Sequence, residues 1–280
     1  MDDSTYREIA ELALNGSGQH IPPTKSYLIE SRLGPILRRE QFAGVAELLA
    51  CIRARPSSPL GGEIVAALTS KTTHFFRERA AFERIVNHVL PMMAPSAPGG
   101  KLRIWCAGGS SGQEAYSLAM LIGESENEAL KDIQVEILTS DISEKMSARA
   151  RSGKFGHFDV QKGLSIHRLL SNFSRLDTGE WQVSQDLANR VGVRTHNILQ
   201  DCSGLGVFDV ITCCNVIGGM GSQMRARALV NLARQLSDSG VLVIGKDETA
   251  TGLVTGLEPS RDLRGAYCRE VTPGALTAAA

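Results

Sequence analysis

The sequence carries no net charge: 30 lysines and arginines balance 30 aspartates and glutamates over 280 residues. No global field therefore draws the chain to nucleic acid or to an anionic membrane surface. Its six cysteines are scattered, with no C-x-x-C pair, and its histidines do not stand at metal-ligand spacing. Neither a disulfide framework nor a metal site is expected, and reduced thiols in a cytosolic protein are. No apolar run approaches the length of a membrane span. The N-terminal Met1-Asp2-Asp3-Ser4 is acidic and polar and does not read as a signal peptide. The dinucleotide fingerprint G-x-G-x-x-G is missing as well. The one glycine-rich turn that follows an apolar run offers Gly108, Gly109 and Gly112, with Gly109 where an x should stand.

That turn is nevertheless what the chain is organised around. Leu102, Ile104, Trp105 and Cys106 precede it as a buried strand, and Ala115, Leu118 and Ala119 follow it at helical spacing. This is the start of a βαβ unit, in which glycines let the backbone approach a ligand closely. Ser110, Ser111 and the acidic Glu114 argue against a pyrophosphate here. A carboxylate at a helix N-terminus suits a neutral or cationic ligand better. The bland alternative is an ordinary strand-to-helix turn with no ligand.

A length of 280 residues suggests one large or two ordinary domains. Residues 1–91 read as helical. Thr5 and Glu8 fit a capping box for the first helix, and the glycines at 16 and 18 stop it. Leu28, Ile29, Leu33, Ile36 and Leu37 mark a second helix, residues 45–55 a third, and Ile64, Ala67 and Leu68 a fourth. Between residues 21 and 60, Lys25, Arg32, Arg38, Arg39, Arg53 and Arg55 outnumber Glu30, Glu40 and Glu47. This excess is either a solvated face or a docking surface for an acidic partner. A helix over 81–90 and a proline- and glycine-rich linker at 92–100 then lead into a second domain, 101–280.

In that domain strands are expected at 135–139, 191–197, 208–215, 241–245 and 265–268, with helices at 144–151 and 223–236 between them. Residues 153–190 interrupt the alternation and read as an inserted small β-rich subdomain, with 181–183 a short strand. The alternation predicts a mainly parallel sheet covered on both faces. Ligands then sit at the carboxyl ends of its strands, where Ala107, Asp141, Asn197 and Asn215 fall. Asp141 is either the acid that holds a ribose diol or a cap for the helix after it, and the two roles are compatible.

In order along the chain, Thr73-His74-Phe75-Phe76-Arg77, residues 107–117, Ser140-Asp141-Ile142, residues 208–216, residues 240–245 and Glu248 resemble the CheR-type chemotaxis receptor methyltransferases. The resemblance spans about residues 5 to 270. It implies a Rossmann-like α/β sheet that binds S-adenosyl-L-methionine, with an inserted β-subdomain and a helical N-terminal domain. It implies a cytoplasmic bacterial enzyme, expected to be monomeric, that methylates glutamate side chains on chemoreceptor signalling helices, with no nucleic-acid partner and no membrane insertion. Carried over by position, Thr73 and Arg77 match residues near the methionine end of the cofactor, Arg77 being the candidate catalytic residue. Glu114 matches the cofactor-binding acid, Asp141 the ribose ligand, and Asn197, Ile198, Asn215 and Val216 the remaining cofactor contacts.

The chain departs from the family pattern at three positions. Lys71 stands where the family has Asn, Cys214 where it has Arg, and Gly219 where it has the Tyr set beside the transferred methyl. The alternative reading is a degenerate homologue that binds receptor or cofactor without methylating. A small-molecule methyltransferase fits the basic helical region less well.

Overall fold

A computed structural model describes residues 1–260, 263, 265–269 and 277–278. Its contacts divide the chain into two units, Met1–Lys71 with Gly219–Arg225, and Thr72–Gly218 with Ala226–Ala280.

The first unit is helical: α1 (Asp3–Ser17), α2 (Tyr27–Glu40), α3 (Val45–Ala54) and α4 (Pro59–Leu68). Ile9, Ile29, Leu33, Leu48, Ile64 and Leu68 are fully buried and form its core. The cap of α1 is Asp2, whose carboxylate accepts from Thr5 N, and not the Thr5–Glu8 pair. Either acid or hydroxyl satisfies an orphan N–H, and the chain uses the earlier one. Gly18 ends α1 in the left-handed conformation, φ 73°. Residues 219–225 rejoin this unit through Gly221 N, which donates to Gly18 O, and Gln19 Nε2, which donates to Gly219 O.

The second unit opens with α5 (Arg79–Arg84), a π-turn at Ile85–Val89, and α6 (Leu90–Met93). It continues through β1 (Lys101–Ala107), α7 (Gln113–Glu124), β2 (Gln134–Asp141) and α8 (Glu144–Ser152). Next come β3 (Lys154–Phe155), α9 (His157–Gln161), α10 (Ile166–Asn172), β4 (Phe173–Arg175), β5 (Trp181–Val183) and α11 (Gln185–Asn189). Then follow β6 (Val191–Thr195), β7 (Phe208–Cys213), α12 (Ser222–Ala233), which begins in the first unit, and β8 (Leu236–Ile244). β9 (Val254–Thr255), β10 (Leu257–Pro259), β11 (Ala266–Arg269) and β12 (Thr277–Ala278) complete the order.

The main sheet runs β10-β11-β8-β7-β1-β2-β6. β6, β2, β1, β7 and β8 are parallel, and β11 and β10 add antiparallel at one edge. The central strand β1 is buried almost end to end, as a strand covered on both faces must be. The small antiparallel sheet β3-β5-β4 is the insertion expected at 153–190.

Two boundaries differ from the sequence reading. The units divide after Lys71, and residues 92–100 are helical turns rather than an extended linker. The cause is packing: Phe75, Phe82, Val86, Leu90 and Met93 belong to the same buried cluster as Ile104 and Leu118. Strand β8 begins at Leu236, where a helix was expected to end. Leu236 pairs with Phe208, and residues 238–240 lie in an irregularity of the ladder before Val241 pairs with Val210. None of the six cysteines is in a disulfide.

Candidate active site

From β1 the sheet extends to β2 and β6 on one side and to β7 and β8 on the other. The crevice beyond the carboxyl ends of β1 and β7 is thus the topological switch point, where open α/β sheets take their ligands. The glycine turn lies there, and its tight packing leaves no room for a Cβ at Gly108 or Gly109. Gly108 N and Gly109 N both donate to Ser140 O, at 2.8 and 2.9 Å, which folds the turn onto the end of β2. A Cβ on Gly108 (φ 78°) would stand 2.5 Å from Val216 Cγ2, and one on Gly109 would run into Thr139 Oγ1.

Asp141, the last residue of β2, uses its carboxylate on the same turn. Oδ2 accepts from Ser110 N at 3.0 Å and Oδ1 from Ser143 N at 2.8 Å. Ser143 is itself the N-cap of α8. Asp141 therefore joins the glycine turn to the start of α8, and it remains half-buried at the crevice.

Glu114 sits in the first turn of α7, and its Oε1 accepts from Thr212 Oγ1 of β7 at 2.5 Å. Removal of its carboxyl from water pushes the pKa up to about 7. The Thr212 hydrogen bond opposes this rise, the negative charge of Glu78 adds to it, and Arg77 weakly offsets it. A carboxyl with a raised pKa in a crevice is suited to a positively charged ligand group.

Asn215 follows β7 in the left-handed conformation, φ 62°. Its backbone N donates to Glu248 Oε2 at 2.6 Å, and its side-chain Nδ2 donates to Glu78 Oε1 at 2.9 Å. The next residue, Val216, is the one packed against Gly108. On the other side of the crevice Asn197 Oδ1 accepts from Leu199 N, and Asn231 Nδ2 of α12 donates to Ile198 O and Gln200 O at 2.9 and 3.0 Å. Ile198 is buried.

Thr73 and Arg77 lie on the irregular segment before α5. Arg77 is exposed and its guanidinium donates to Thr72 O. The segment is pinned by its aromatics: Phe75 packs edge-on against Phe155 and Phe173, and Phe76 N donates to Ser117 Oγ of α7. Phe76 adopts φ 53° there. The paired rings thus form a packed corner.

The candidate residues thus lie on separate elements: Glu114 in the first turn of α7, Asp141 at the end of β2, Asn197 and Ile198 after β6, and Asn215 and Val216 after β7, with Arg77 close enough to Glu114 to lower its pKa slightly. Glu78 and Asn231 were not singled out from the sequence, and Glu248 entered only through the family pattern. The signal for Glu78 and Glu248 was weak, a carboxylate on a loop beside a strand end. The set offers two carboxylates, Glu114 and Asp141, on either side of a turn that has no room for side chains at Gly108 and Gly109.

In the helical unit the basic excess is partly neutralised within the unit. Arg39 makes a two-pronged pair with Glu63 at 2.6 and 2.7 Å and also meets Glu40, and Arg53 pairs with Glu8. Arg32 donates to Leu68 O. Arg38 instead lines an open groove of about 600 Å³ together with Leu37, Phe42 and Glu47.

The family model described as CheR methyltransferase, SAM binding domain, matches residues 71–261. Chemotaxis protein methyltransferase Cher2 of Pseudomonas putida is 33% identical over 90% of this chain and 92% of its own. Chemotaxis protein methyltransferase 1 of Pseudomonas aeruginosa is 32% identical over 82% of this chain and 84% of its own. A chemotaxis protein methyltransferase of Vibrio parahaemolyticus is 30% identical over 93% and 94%. The chain belongs to the CheR methyltransferase family, and the crevice beyond β1 and β7 lies in that family's S-adenosylmethionine-binding domain.

Proposed function

We propose that the chain methylates glutamate side chains on the cytoplasmic signalling helices of chemoreceptors, as an S-adenosylmethionine-dependent protein-glutamate O-methyltransferase of the cytoplasm. The observation that carries the reading is the pairing, at one switch point, of a cradle that only glycine fits with the desolvated carboxyl of Glu114. The names of the relatives, all chemotaxis protein methyltransferases, support methyl transfer in chemotaxis. Among the described residues no helix is long and apolar enough to cross a membrane.

When bound, S-adenosylmethionine supplies a methyl group activated by a positive sulfur. The accepting glutamate is already ionised at neutral pH, since its free pKa is about 4.3, so no residue of the chain has to remove a proton. What remains for the chain is binding, orientation and exclusion of water. In this reading Thr73, Arg77 and Glu114 hold the charged methionine end, Asp141 the ribose, and Asn197, Ile198, Asn215 and Val216 the rest. Peptide mapping of receptor incubated with the protein and S-adenosylmethionine tests the reading. Methyl esters on glutamates of the signalling helices are expected, and methylation of lysine or of small molecules alone would contradict it.

A second reading is a homologue that binds without transferring. It is supported by the residues at two family positions. Cys214 is buried in the core, with Sγ 3.9 Å from Val243 O, and Gly219 carries no side chain where the family has an aromatic. Under this reading the protein binds S-adenosylmethionine and receptor, and the mapping finds no ester.

A further inference from the structure

One carboxylate gathers the strand ends on the far side of the crevice, and neither the family pattern nor the relatives give it a role. Glu248 follows β8. Its Oε2 accepts from Asn215 N at 2.6 Å and from Gly245 N at 3.0 Å, and its Oε1 accepts from Gly218 N at 2.6 Å. Asn215 and Gly218 lie in the loop after β7, and Gly245 directly follows β8. The approach is close enough that a Cβ on Gly245 would stand 2.7 Å from Glu248 Oε2 and 2.9 Å from Asn215 N.

The loop it holds is one whose backbone has much freedom to lose, and it is tied as well by Asn215 Nδ2, which donates to Glu78 Oε1. Asn215 is a non-glycine residue in left-handed backbone, and residues 218 and 219 are both glycine, the residue with the most conformational freedom to lose. Yet the loop carries Val216, which meets the glycine turn at Gly108. Hydrogen bonds to an ionised acceptor are the stronger kind, so Glu248 is well matched to fixing backbone that sequence alone would leave loose.

We propose that Glu248 is a positioning residue of the cofactor site: by holding the backbone N–H groups of Asn215 and Gly218 it sets the loop that presents Asn215 and Val216 to S-adenosylmethionine. The proposal rests on the reading of those two residues as cofactor contacts. Glu248 touches no ligand in this scheme and acts through the loop. Its side chain is half-buried, so the role does not depend on filling the core.

Calorimetry with S-adenosylhomocysteine on the full chain and its Glu248→Gln variant separates positioning from mere stability. The glutamine has one acceptor oxygen and so cannot hold both Asn215 N and Gly218 N as the carboxylate does. A positioning role weakens the dissociation constant about tenfold or more while the binding stoichiometry stays that of the wild type. A merely structural role lowers the stoichiometry, as part of the sample unfolds, and leaves the dissociation constant of the rest unchanged; that result would overturn the proposal, as would equal affinity at equal stoichiometry. Wild-type protein that binds no S-adenosylhomocysteine would overturn the cofactor reading itself. Hydrogen exchange on the wild type needs no variant. Slow exchange of the Asn215 and Gly218 amides before ligand is added is expected, and exchange at the rate of an unstructured peptide would overturn the proposal even if Glu248→Gln fails to fold.

Discussion

Glu114 Oε1 and Thr212 Oγ1 lie 2.5 Å apart, and this hydrogen bond crosses from the first turn of α7 to β7 at the point where the sheet changes direction. Burial of the Glu114 carboxyl raises its pKa to about 7, against the lowering effect of the Thr212 hydrogen bond. A carboxyl that titrates higher in the folded protein than in the unfolded chain stabilises the fold at low pH, and that contribution is lost as pH rises through about 7.

Cofactor affinity should run the other way. A cationic ligand group favours the carboxylate, so binding releases the proton that Glu114 holds below its pKa. Affinity for S-adenosylmethionine is expected to climb by up to about tenfold per pH unit below about pH 7 and to level off above it. Calorimetry near pH 7 in two buffers of different ionisation enthalpy should register the released proton. Glu114→Gln should abolish both effects, and a pH-independent affinity in the wild type would contradict the assignment.

Asp141→Ala should weaken S-adenosylhomocysteine binding by about 1.5–3 kcal/mol, the usual worth of hydrogen bonds to a charged group. Part of that loss comes from the Ser110 turn, which Asp141 also holds. A 2′-deoxyribose analogue separates the two. If Asp141 holds the diol, the mutation costs the deoxy ligand less than the parent ligand; if it acts only through the turn, both ligands lose equally. Unchanged affinity for both would remove Asp141 from the site.

Gly109→Ala places a methyl group on Thr139 Oγ1 and forces the turn off the end of β2. Overpacking of this kind costs about 1–3 kcal/mol. The melting temperature should fall and cofactor binding should weaken together. A variant with the stability and affinity of the wild type would show that the turn yields freely.

The element pattern was legible because apolar runs and helical spacing report burial, and β1, β7 and α7 are buried over most of their length. Glycine and acidic residues at strand ends pointed to the crevice. The rest was not legible because it depends on distant pairings. Glu248 reaches Asn215 and Gly218 across 33 and 30 residues, and Glu78 reaches Asn215 across 137. Nothing periodic marks a loop carboxylate as a backbone clamp. The division after Lys71 was hidden for a related reason: residues 79–93 are helical like the first unit, but their apolar faces belong to the core of the second.

The cationic surface of the helical unit gives a prediction that the ion pairs sharpen. Arg39 is engaged with Glu63 and Glu40, so reversing it disturbs the unit's own contacts. Arg38 lines the open groove instead. Arg38→Glu should lower the rate of receptor methylation, most strongly at low salt where screening is weakest, and leave cofactor affinity unchanged. Equal rates across salt concentrations would mark the groove as a solvated face.

The central claim is that this crevice transfers a methyl group to a carboxylate, and the bond formed reports it directly. Receptor-rich membranes are incubated with the protein and S-adenosylmethionine labelled in its methyl group, the receptors are isolated, and the label is challenged with mild base. Label that enters the receptors and leaves as volatile methanol is expected, because a glutamyl methyl ester hydrolyses where a methylated amine does not. Label that resists base, or no incorporation by a protein that binds the cofactor, would contradict it.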